Sequence, residues 1–69
     1  MNMRQVSPSL YKELNIAADD IYRFDRVERY GILQVLDAAR RNKPIDDVFI
    51  HCAEHALSEH PIKTPPIAA

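Results

Sequence analysis

The sequence holds a single glycine, a single cysteine and no tryptophan, and it contains no long run of apolar residues. Each shortage removes a class of structure. With only Cys52, an intramolecular disulfide framework is impossible. One glycine leaves few tight hairpin turns, and no apolar/polar alternation persists long enough to mark a strand. No segment approaches the ~18 apolar residues of a membrane span, and Met1 to Val6 lacks the apolar run of a signal peptide. An excess of charge of one sign is also missing: 9 Lys and Arg face 10 Asp and Glu, for a net charge of -1. That balance argues against a strongly basic polyanion binder, whose affinity comes from neutralising phosphates. Together these shortages predict a cytoplasmic protein with no membrane contact.

What remains is 69 residues with five prolines. So short a chain makes one domain, and a domain of this size buries only about 60% of the surface its unfolded chain exposes. With disulfides excluded, a partner or a metal is the usual remedy for so thin a margin of stability.

The apolar spacing reads as helical throughout. Ser7-Pro8 suits a helix start, since Ser caps and Pro has the φ angle and missing N–H of a first helical position. From there Leu10, Leu14, Ala17, Ala18 and Ile21 keep to one face, which predicts a first helix near residues 8 to 22. Asp25-Arg26-Val27-Glu28 fits a capping box and opens a second helix near residues 26 to 41. Its apolar residues are Val27, Ile32, Leu33, Val35, Leu36 and Ala39, and cations gather at its C-terminal end before Pro44. Gly31 either lets another helix approach closely or marks the C-cap of a longer first helix that runs on to Tyr30, and close approach is the favoured reading. The third helix, near residues 45 to 59, follows the apolar template at Ile45, Val48, Phe49, Cys52, Ala53, Ala56 and Leu57. The expected fold is all-α: a small three-helix bundle over residues 8–59, with a flexible N-terminus at 1–7 and a flexible, extended or disordered Pro-rich C-terminal tail at 60–69.

Three constellations bear on chemistry. His51-Cys52-Ala53-Glu54-His55 spells H-x-x-E-H, in which two imidazoles lie one turn apart. A zinc peptidase also needs a remote ligand and a substrate cleft, for which so short a chain has little material. The expected reading is therefore a solvated polar face with no required metal and no cofactor. Cys52 falls on the apolar stripe, and His51 projects about 100° away from it, so a thiol nucleophile is not expected. With no phosphate loop and no catalytic triad spacing, the chain is not expected to be an enzyme. The third constellation is Arg40, Arg41 and Lys43 between the second and third helices, which can be drawn as a helix-turn-helix on DNA. There, however, Asp46 and Asp47 occupy the end of the second motif helix that meets the polyanion.

Glu28-Arg29-Tyr30, followed by Ala38, Arg41 and Pro44, is similar to a stretch of the small theta subunit of bacterial replicative polymerases, a helical family that supports a proofreading subunit. The likeness stays within residues 28–44, and no residue's role is carried over from it.

Apolar residues off the inferred stripes are the more informative feature. Tyr11, Ile16 and Tyr22 leave the core line of the first helix, and Ile50 projects away from Phe49 and Cys52 on the third. Such residues are the anchors that a protein–protein contact uses, although small bundles also expose scattered apolar side chains. The sequence thus predicts a non-catalytic accessory or interaction protein that binds another protein, or itself as a homo-oligomer, through Tyr11, Ile16, Tyr22 and Ile50. The competing reading is a DNA-binding regulator using Arg40, Arg41 and Lys43.

Overall fold

The computed structural model describes residues 2–60. In chain order it comprises β1 (Met3–Arg4), α1 (Pro8–Ala18), a single 3-10 turn (Ile21–Arg23), α2 (Arg26–Arg40), β2 (Ile45–Asp46) and α3 (Asp47–Glu59). The fold is thus small and mostly helical, with three helices and one two-strand ladder, where a purely helical bundle was expected. The Pro-rich segment 61–69 lies outside the described residues.

Local chemistry sets the helix ends. Ser7 Oγ accepts from the Leu10 amide at 3.2 Å with Pro8 just inside α1, as its spacing predicts. Asp25 and Glu28 form both halves of the capping box, at 2.8 and 2.9 Å. Past Arg40, Asn42 turns into the left-handed region at φ 54°, and the amides of Asn42 and Lys43 return to the carbonyls of Ala39 and Ala38. This Schellman arrangement satisfies the last carbonyls of α2 before Pro44.

Two boundaries differ from the expected ones. The first helix stops at Ala18 rather than near Tyr22, because Asp19 and Asp20 are poor helix formers and place negative charge at the negative end of the helix dipole. The third starts at Asp47, because Ile45 and Asp46 pair antiparallel with Arg4 and Met3. Asp46 then caps α3 through its side chain, accepting from the Val48 amide at 3.1 Å. The N-terminal segment, expected as a flexible lead-in, is tied down here by the ladder, by the Asp47 amide donating to the Asn2 carbonyl at 2.7 Å, and by an Arg4–Asp47 ion pair at 2.9 Å.

Leu10, Leu14 and Ala17 of α1, Phe24 just after the 3-10 turn, Ile32, Val35 and Leu36 of α2, and Ile50, Ala53 and Ala56 of α3 make one core. Gly31 sits within α2 at the crossing with α3: a Cβ there would lie 2.9 Å from Cys52 Sγ and 3.2 Å from Cys52 Cβ. Close approach is therefore what this glycine provides.

Candidate interaction surface

The four predicted partner-binding residues meet different fates. Tyr22 is 84% exposed on the 3-10 turn, its ring 5.3 Å from the Arg29 guanidinium, and Ile16 is exposed on α1. Tyr11 is half-buried against the core. Hydrogen bonds from Asn15 and then Arg40 hold its phenol below the usual tyrosine pKa of 10.0. On one helix Tyr11 and Ile16 project about 140° apart, so the three residues do not form one surface. Ile50 is a correction: it is fully buried among the core residues and offers nothing to a partner.

The same correction has a counterpart. Val27, Leu33 and Val48, expected in the core, are exposed, at 69%, 51% and 62%. Phase explains the two valines. Val48 lies five residues before Ala53, hence about 140° from the centre of the buried face, and Val27 stands in the same relation to Ile32. Once Ile45 is strand, the template that began there no longer selects Val48. The core face of α3 is instead centred on Ala53, with Ile50 inside it.

Val27, Val48 and Tyr30, the last also more than half exposed, line the outer edge of the α2–α3 seam. The Tyr30 and Phe49 rings bridge it with centroids 6.0 Å apart, and Cys52 Sγ lies 4.0 Å from the Val27 carbonyl. Val48 continues the line one turn before Cys52, whereas Leu33, two residues on from Gly31, projects away from α3. Spacings of three and five from Tyr30 and Ile32 were the available signal for Val27.

Polar groups cluster elsewhere. Arg40 donates to Asn15 Oδ1 at 3.4 Å, Arg41 pairs with Asp37 at 3.2 Å, and Lys43 is exposed. Beside them Asp46 caps α3 and Asp47 pairs with Arg4, so the end of α3 nearest this basic group is acidic. Cys52 faces α2, away from both neighbouring histidines. His51 Nε2 lies 2.8 Å from Asp47 Oδ2, and His55 Nε2 lies 3.6 Å from Glu59 Oε1. At the far end of α3, His60 meets the Phe24 ring edge-on with centroids 5.4 Å apart, approaches Glu28 at 3.4 Å, and accepts at its carbonyl from Arg23 at 3.2 Å. Among the described residues, no three His, Cys, Asp or Glu side chains converge to hold a metal ion, and no helix is long and apolar enough to cross a membrane.

Compared with protein-family models, with curated proteins and with solved structures, the chain matches none.

Proposed function

We propose that this protein is a non-catalytic accessory or interaction protein that docks another protein through apolar side chains on its helices. The reading rests above all on Val27, Tyr30 and Val48, which stand exposed along one seam beside Phe49. Apolar and aromatic side chains gathered on a rigid two-helix platform are the anchors that protein interfaces bury. Tyr22 and Ile16 are secondary contacts on the α1 side. A reducing, cytoplasmic setting accords with a lone half-buried thiol held between helices.

The DNA-binding alternative draws on the exposed Arg40, Arg41 and Lys43 and works against the acidic start of α3. One experiment separates the two readings. Native protein and a Tyr30→Glu/Val48→Glu double variant, both verified as helical by circular dichroism, are used as baits in host lysate and in DNA mobility assays at two salt concentrations. A protein captured by the native bait and lost with the variant, at an affinity nearly independent of salt, is the expected result. DNA binding that falls steeply with salt and survives the double substitution would replace this reading with the regulator.

A further inference from the structure

The outer side of α3 carries a ladder at strict four-residue spacing: Asp47, His51, His55 and Glu59. We propose that His51 and His55 form a surface site for one borderline divalent cation of the kind that favours imidazole, such as Ni²⁺, Cu²⁺ or Zn²⁺. Residues four apart on a helix have Cβ atoms about 5–6 Å apart, close enough for two imidazoles to share one ion. Both rings are open to water, with side chains 66% and 71% exposed, so an ion reaches them without any opening of the fold.

The flanking carboxylates make this more than a pair of exposed histidines. Each ring has its own carboxylate one turn outward: Asp47 Oδ2 at 2.8 Å from His51 Nε2, and Glu59 Oε1 at 3.6 Å from His55 Nε2. Metal-bound histidines characteristically donate their other ring N–H to a carboxylate, which selects the tautomer and raises the basicity of the ligating nitrogen. The His51–Asp47 approach is within hydrogen-bond distance, whereas Glu59 stands farther off from His55 and acts through charge alone. Glu54 adds a third carboxylate, its Oε1 3.7 Å from His51 Nδ1. Arg4 holds the other oxygen of Asp47 at 2.9 Å and so keeps that carboxylate in place. With two protein nitrogens and water in the remaining positions, the site is a weak one. It does not build the fold, because α3 is held by Ile50, Ala53 and Ala56 on its opposite side.

The test uses the untagged full-length chain, titrated with NiCl₂ by calorimetry and melted with and without the ion. The expected result is one equivalent bound, a raised melting midpoint, loss of binding in both His51→Ala and His55→Ala, and unchanged binding in His60→Ala. Asp47→Asn should keep the stoichiometry while weakening affinity about tenfold or more. Binding that survives either His51→Ala or His55→Ala would overturn the site, as would Mg²⁺ binding as well as Ni²⁺, since an imidazole site discriminates against a hard oxygen-seeking ion. An unaffected native chain overturns it outright.

Discussion

On the inner side of the α2–α3 pair, Ile32, Val35 and Leu36 share a core with Ile50, Ala53 and Ala56, none more than 1% exposed. On the outer side of the same two helices, Val27, Tyr30 and Val48 are each more than half exposed. Residue type does not separate the two sides, for Val35 and Val27 differ only in where they fall on the helix. Rotation about the helix axis decides which side chain stabilises the fold, because a position five residues on projects about 140° away. The inner side therefore contributes stability, and the outer side is left available for association at little cost to folding.

The largest expected effect comes from breaking the inner side. Ile50→Ala removes a fully buried side chain from a core of few residues. Such truncations cost about 2–5 kcal/mol, a large part of the ~5–15 kcal/mol that holds a typical domain together. Urea unfolding followed by circular dichroism should show the midpoint fall sharply or the folded baseline disappear. A loss of less than about 1 kcal/mol would mean that Ile50 lies outside the core after all.

Gly31 sharpens the comparison, since it sits at the boundary between the two sides. Gly31→Ala gains about 1 kcal/mol of helix propensity but sets a methyl 2.9 Å from Cys52 Sγ, and overpacking of that kind costs about 1–3 kcal/mol. The expected net change is a modest destabilisation. Combining it with Cys52→Ala removes the sulfur and should recover part of the loss, which a double-mutant cycle in urea would report as coupling between the two positions. Additive effects would mean that the helices are not in contact there.

How much of this was legible in the sequence follows from the range of each interaction. The caps at Ser7 and at Asp25–Glu28 involve residues three apart, and they stand where their spacing puts them. Close approach at Gly31 was legible because an unsupported mid-helix glycine needs a reason. The β1–β2 ladder was not, since two residues per strand cannot display an alternation. That unseen ladder also explains the candidate surface: it removes Ile45 from α3, and with Ile45 goes the phase that had put Val48 inside and Ile50 outside. The exposure of Tyr22 and Ile16 was legible from their departure from the α1 stripe, whereas the hydrogen bond between Tyr11 and Arg40 spans too many residues for spacing to indicate.

The smallest expected effect on stability is the one that tests the outer side. Val48 is exposed on the first turn of α3 and borders the seam without belonging to the core. Val48→Ser should therefore change the unfolding free energy by no more than about 0.5 kcal/mol, the range of surface substitutions away from caps and cores. Its effect on association should be disproportionate, because an anchor loses contact area only when a partner covers it. Measuring the urea midpoint and the amount of captured partner on the same preparation separates the two contributions. A stable Val48→Ser protein with reduced capture places the working surface on the outer seam. Unchanged capture with unchanged stability would move the contact to Tyr22 and Ile16 on the α1 side.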